Sequence, residues 1–195
     1  IRKAMPDFRT YEVEPLSPSA IEKMSSTWLS EGEIDYKKFL RILAQKPYRD
    51  LADRPLMLTN LLILYQKYKK LPQQSVSIYE KILMLCLEEW DASQGLERPS
   101  RYSQLEDRRK RDFLANFAFE LVKVNRGKLS FSSRMCQKTY VRIHEKFELP
   151  EGEFAKVAQE IQSTTGIITQ SGYDLFEFSH KSMFEYLVGE YLVRS

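Results

Sequence analysis

Glycine, proline, cysteine and histidine are all scarce in this sequence of 195 residues. With 7 glycines and 8 prolines, little of the chain is predicted to be linker. The two cysteines, Cys86 and Cys136, exclude a dense disulfide framework and fit a reducing compartment, so we expect a cytoplasmic protein. The two cysteines and two histidines include no pair with the spacing of metal ligands, so no metal site is predicted.

The sequence also lacks a strong net charge and an apolar run of membrane length. It has 30 basic and 27 acidic side chains, and the net charge of +3 does not indicate a nucleic-acid or membrane partner. The most apolar stretch, residues 55–65, is about half as long as a membrane helix must be. No secretory signal is visible. Because the chain begins at Ile1 rather than Met, we expect it to be a piece of a longer protein.

Apolar residues recur at helical spacing along most of the chain, which predicts a mainly α-helical protein. Helices are predicted to begin near residue 18 and to cover residues 36–44, 55–65, 77–90, 105–124, 133–147, 151–162 and a last segment after residue 180. The segment 55–65 has almost no polar face, which predicts a helix buried on all sides. Alternating residues on both sides of Ser171-Gly172 predict a β-hairpin, and residues 10–14 predict a short strand.

The clearest candidate for a domain boundary is the segment 95–100, which contains Gly95 and Pro99. We therefore predict a helical lid domain over residues 17–97 and a second domain over residues 98–195. In the second part, three predicted helices precede the hairpin, which is typical of a winged-helix domain.

Two segments carry the most specific sequence patterns of the chain, LADRPLMLT at residues 51–59 and FEFSHKSMFEYL at residues 176–187. The first resembles the start of the helical domain that follows the nucleotide-binding core of NACHT-family signalling ATPases. The second resembles the winged-helix signature of that family, FxHxSFQEYL, except that Met183-Phe184 stands where the family usually has Phe-Gln. Residues 8–13 resemble the last strand of the family's core, so the resemblance assigns residues 1–16 to the end of that core.

The resemblance implies the regulatory part of a nucleotide-dependent switch. In NACHT proteins ADP holds the closed state and exchange for ATP permits oligomerisation, and such proteins serve innate immunity or bacterial anti-phage defence. The implied partners are the chain's own N-terminal nucleotide-binding core and, on activation, further copies; the implied cofactors are ADP and ATP with Mg²⁺. The sequence contains no GxxxxGK[ST] phosphate loop and no recognisable magnesium-binding motif. We therefore expect the chain alone neither to hydrolyse ATP nor to bind nucleotide tightly.

The candidate nucleotide contacts are His180 and Pro55. His180 follows a predicted strand, and Ser179 or Ser182 is the predicted N-cap of the last helix. The positive end of a helix dipole favours a neutral imidazole, which still donates one N–H. The resemblance implies that His180 contacts the β-phosphate of ADP and that Pro55 packs against the adenine ring. The alternatives are a core or capping role for His180 and, for Pro55, the suitability of proline for a first helical turn.

A nucleic-acid site is the main alternative, because Arg108-Arg109-Lys110-Arg111 is a basic run. Acidic residues flank this run, however, and the predicted recognition helix, within residues 150–162, has three glutamates against Lys156 alone. We therefore expect no nucleic-acid partner. The carboxylates are scattered, so no catalytic residue is predicted. A helical interaction module without a ligand is the third hypothesis.

Overall fold

The structure is a computed structural model that describes residues 14–30, 35–93, 102, 105, 107–125 and 129–194. The described part is mainly helical, as predicted, with one small antiparallel sheet. Its helices are α1 (Pro18–Leu29), α2 (Tyr36–Leu43), α3 (Arg49–Ala52), α4 (Pro55–Tyr68), α5 (Ser75–Ser93), α6 (Asp107–Asn125), α7 (Ser133–Ile143), α8 (Phe154–Thr165) and α9 (Lys181–Arg194). A 3-10 turn (His144–Phe147) follows α7, and the strands are β1 (Ser130–Ser132), β2 (Ile168–Gly172) and β3 (Leu175–Phe178).

The chain divides into two compact units, Ile1–Ser75 and Val76–Ser195. The domain boundary predicted within residues 95–100 falls among residues 94–100, outside the described part, and so does most of the strand predicted at residues 10–14. Both stay predictions. None of the described helices is long and apolar enough to cross a membrane.

The first unit begins with two helices that are capped by their own sequence. The Ser17 hydroxyl accepts a hydrogen bond from the Ala20 N–H at 3.2 Å, and the Asp35 carboxylate accepts from the N–H groups of Lys37 and Lys38. The core of this unit is formed by apolar side chains of α1, α2 and α4: Leu29, Phe39, Leu43, Leu58, Leu61, Leu62 and Tyr65. The ring of Phe39 lies 4.9 Å from that of Tyr65, which ties α2 to α4.

The prediction that residues 55–65 are buried on all sides is wrong for the first turn of α4. Pro55 is exposed and Leu56 is 41% exposed, whereas Leu58, Leu61 and Leu62 are fully buried. The apolar run therefore begins at the surface with Pro55 and Leu56 and is buried from Met57 onward on most of its positions.

The second unit contains the predicted hairpin, in which β2 pairs with β3, and a third strand that the sequence did not predict. The strand order is β1-β3-β2, and Phe131 of β1 lies opposite Phe176 of β3. Aromatic rings join the sheet to α9, since Phe184 lies 4.8 Å from Phe178 and 5.6 Å from Phe131. The sheet and the start of α9 therefore share one core.

Candidate functional site

Pro55 occupies the first turn of α4, as the sequence predicted. Arg54 before it is extended, with φ −101° and ψ 122°, and its carbonyl accepts the first helical hydrogen bond from the Leu58 N–H at 2.9 Å. A proline at this position loses no hydrogen bond, because the first N–H groups of a helix have no intrahelical acceptor. The exposed Pro55 ring and the half-exposed Leu56 present an apolar surface at this helix start.

His180 lies at the junction between β3 and α9 and caps the helix itself. Its Nδ1 accepts a hydrogen bond from the Ser182 N–H at 3.1 Å, and its carbonyl accepts from the N–H groups of Met183 and Phe184. The prediction that Ser179 or Ser182 is the N-cap is wrong. The Ser179 N–H donates to the Ile167 carbonyl at 2.9 Å, so Ser179 continues the pairing of the hairpin. The N-cap is therefore His180, and α9 begins at Lys181.

The capping bond determines where the imidazole carries its proton. An Nδ1 that accepts a hydrogen bond has no proton, so the neutral ring carries its one N–H on Nε2. The half-buried His180 ring therefore combines an Nε2–H donor with a position at the positive end of α9. A donor beside a helix N-terminus is suited to hydrogen-bond an anion.

The junction around His180 is rigidly packed on its apolar side. Phe178 precedes it by two residues and Phe184 follows it by four, and their rings are in contact at 4.8 Å. Met183 is buried next to them. Packing on both sides of His180 thus fixes the backbone from which its side chain projects.

The basic run Arg108–Arg111 does not form one surface patch. Lys110 is buried, and the Arg111 side chain is only 11% exposed. The Arg111 Nε donates to Glu190 at 2.7 Å, and its Nη2 donates to Glu80 and to the Tyr186 hydroxyl, both at 3.2 Å. The sequence contained a signal for this, because Arg111 has helical spacing with the buried Leu114, Ala118 and Leu121.

The charge network around Arg111 shifts the pKa values of Glu190 and Tyr186. Burial would raise the pKa of Glu190, but the hydrogen bond and charge of Arg111, together with the charge of Arg194, outweigh it and hold this pKa below its ordinary value. Burial, reinforced by the charge of Glu190, raises the pKa of Tyr186 to about 12. The network is therefore an ion pair with a neutral phenol and joins α5, α6 and α9.

The two cysteines and His144 lie in buried or partly buried positions where they serve packing and hydrogen bonding. Burial raises the pKa of the Cys86 thiol to about 11 and that of Cys136 to about 12, so neither is a ready nucleophile. His144 is buried, and its Nδ1 lies 2.8 Å from the Leu149 carbonyl, to which it donates. Among the described residues no group of histidine, cysteine and carboxylate side chains is placed to hold a metal ion.

Pro55 belongs to the first compact unit and His180 to the second. Comparisons of the chain with protein-family models, curated proteins and solved structures found no match. The nucleotide contacts of both residues therefore stay predictions, which rest on the sequence resemblance and on the local geometry of each residue.

Proposed function

We propose that this chain is the helical and winged-helix regulatory part of a NACHT-type switch, closed by ADP and opened by ATP. The observation that carries the proposal is the environment of His180. It lies in the segment that resembles the family signature, at the N-terminal end of α9, with Nδ1 accepting the Ser182 N–H, so that a neutral ring donates from Nε2.

The order of elements in the second unit supports the winged-helix part of the proposal. The helices α6, α7 and α8 are followed by the hairpin β2–β3, and β1 between α6 and α7 adds the third strand. A small antiparallel sheet with three helices is the composition of a winged helix. In the proposed role the domain is a packing module that the nucleotide holds in place.

In the closed state, the Nε2–H of His180 donates to the β-phosphate of ADP, and the N-terminal end of α9 adds favourable electrostatics. Pro55 and Leu56 supply an apolar surface for the adenine ring. A longer parent protein supplies the phosphate loop and the Mg²⁺ site. When ATP replaces ADP, the contact between His180 and the β-phosphate is lost. Because the two nucleotides then bind the closed and open states with different affinities, the exchange shifts the population toward the open, oligomerising form.

Among the described residues, the ion pairs of the basic side chains favour this role over DNA binding. Arg111 is used inside the second unit, and Lys156, the one basic residue of α8, forms an ion pair with Glu153. A helix that reads DNA needs basic side chains available to phosphates.

The test is an ADP titration by calorimetry on this chain and on the longer native protein, each with His180→Ala and Pro55→Ala variants. We expect the longer protein to bind ADP. The His180→Ala variant should bind it about tenfold more weakly, because one hydrogen bond to a charged group is lost. The Pro55→Ala variant should also bind it more weakly, because part of the apolar contact with the adenine ring is lost. We expect this chain alone to bind weakly. A longer protein that ignores ADP would leave the helical interaction module as the better hypothesis.

A further inference from the structure

The second unit contains a cleft of about 450 Å³ between the start of α6, the 3-10 turn and the end of α9. Its lining includes the cationic side chains Arg108, Arg109, Lys146 and Arg194, the carboxylates Asp112 and Glu190, and the rings of Phe147 and Tyr191. This volume lies within the usual range for small-molecule sites, about 300–1,000 Å³. We call it the Arg108–Lys146 cleft.

Two of the four cations have no carboxylate partner among the described residues. Arg194 is paired with Asp112 at 3.3 Å and Glu190 at 3.4 Å, and Arg109 is paired with Glu148 at 3.2 Å. Arg108 makes no ion pair with any described residue, and the Lys146 ammonium donates to a neutral acceptor, the Asn116 amide oxygen, at 3.1 Å. Among the described residues, Arg108 and Lys146 are therefore the two cations of the cleft without an ion pair, while the lining carboxylates Asp112 and Glu190 are paired with Arg194.

The Lys146 ammonium is held in position before any ligand arrives. The Asn116 amide nitrogen donates to the Asp112 carbonyl at 2.7 Å, which directs the amide oxygen toward Lys146. Arg109 donates to the Lys146 carbonyl at 3.4 Å, and so links α6 to the 3-10 turn. A preorganised ammonium loses less conformational entropy on binding and keeps donors for a ligand, since it has three and Asn116 accepts one.

Two of the four cations of the cleft lie where a helix least favours positive charge. Arg108 and Arg109 are in the first turn of α6, at the positive end of its dipole, where positive side chains are unfavourable and anions favourable. An anion in the cleft would be attracted by the unpaired side chains and by the helix terminus together.

We propose that the Arg108–Lys146 cleft binds a small phosphorylated molecule through its phosphate group. A phosphate monoester carries a charge of about −1.5 to −2 at neutral pH, which matches the two positive charges of Arg108 and Lys146. Phe147, which is 3% exposed, and Tyr191 also line the cleft. The proposal is independent of the switch function, because it rests on α6, the 3-10 turn and α9 and not on His180.

The experiment is a titration of the 195-residue chain with inorganic pyrophosphate at low salt, followed by calorimetry. The test variant is Arg108→Gln with Lys146→Gln. The matched control is Arg134→Gln with Lys138→Gln, two exposed cations of α7 outside the cleft, which changes the net charge equally. We expect saturable binding to the parent chain, an affinity loss of about tenfold or more in the test variant and a change of less than about twofold in the control.

Three outcomes would overturn the proposal. Equal losses in the test and control variants would mean that only net charge matters. Duplex DNA that binds far more tightly than pyrophosphate, and is lost in the test variant, would make the cleft part of a nucleic-acid surface. The third outcome is pyrophosphate binding that is abolished by His180→Ala and unchanged in the test variant. It would place the phosphate at His180, which would support the switch and rule out the Arg108–Lys146 cleft as the binding site. Circular dichroism of each variant checks that it is folded.

Discussion

At the scale of single residues, His180 combines a structural role that its hydrogen bonds define with the ligand role that we propose. Replacing it with alanine removes the acceptor for the Ser182 N–H, and we expect a loss of about 1 kcal/mol in the free energy of unfolding. His180→Asn should retain most of that stability, because asparagine is a good N-cap. Urea unfolding followed by circular dichroism checks this. Alanine and asparagine variants of equal stability would contradict the capping role.

The identity of this capping residue shows where sequence reasoning stops. Pro55 could be placed at a helix start because proline is rarely compatible with any other helical position. At the other site, Ser179 and Ser182 are both better intrinsic caps than histidine. The helix start there is decided by the hydrogen bond from Ser179 to Ile167, a partner twelve residues away that helical periodicity does not reveal.

Arg111 is the residue whose loss we expect to be most costly. Arg111→Ala leaves Glu190, with a side chain only 14% exposed, without its main partner, and we expect a destabilisation of about 2 kcal/mol or more. The control is Arg108→Ala on the same helix, where the exposed side chain has no ion pair among the described residues and the change should stay within about 0.5 kcal/mol. Equal effects of the two variants in urea unfolding would contradict the network.

The same network predicts a pH dependence with a definite sign. The folded-state pKa of Glu190 is lowered, so its contribution to stability is complete above the unfolded value of about 4.3 and is lost as the pH falls through the lowered folded value. Unfolding measured from pH 7 to pH 3 should show this acid loss in the parent protein and a smaller loss in Arg111→Met. An identical acid limb in both proteins would contradict it.

At the scale of elements, two glycines of the second unit make opposite predictions for the same substitution. Gly166 ends α8 with φ 61°, a conformation that strains any side chain, so Gly166→Ala should destabilise by about 1 kcal/mol. Gly189 lies inside α9 with open space where a Cβ would project, so Gly189→Ala should stabilise by up to about 1 kcal/mol. Thermal unfolding of both variants checks the pair, and shifts of the same sign would contradict it.

The elements that the sequence missed are short or depend on distant partners. β1 has three residues, too few for an alternating pattern, and it exists through pairing with β3 more than forty residues later. The start of α8 was predicted at residue 151, but the Glu153 N–H donates to the Pro150 carbonyl, so a turn precedes the helix. The long helices and the hairpin were predictable, because their periodicity is local.

At the scale of the whole molecule, the reactivity of the two cysteines measures the packing of the second unit only. Cys86 and Cys136 both belong to Val76–Ser195, and burial raises their pKa values to about 11 and about 12. At pH 8 the thiolate fraction is then on the order of one in a thousand or less, because each pH unit is a factor of ten. We expect slow labelling of both thiols by a disulfide reagent in the folded protein and fast labelling in urea. Fast labelling of Cys136 without denaturant would contradict the packing of this unit.

The central claim is that His180 senses the phosphate of bound ADP. The most direct test compares the affinities of ADP and a non-hydrolysable ATP analogue for the longer parent protein that we propose, with and without His180→Asn. We predict that this variant, which keeps the helix cap, lowers the ADP affinity by about tenfold and the ATP-analogue affinity by much less. Equal affinities of parent and variant for ADP would contradict the claim and leave His180 as a helix cap alone.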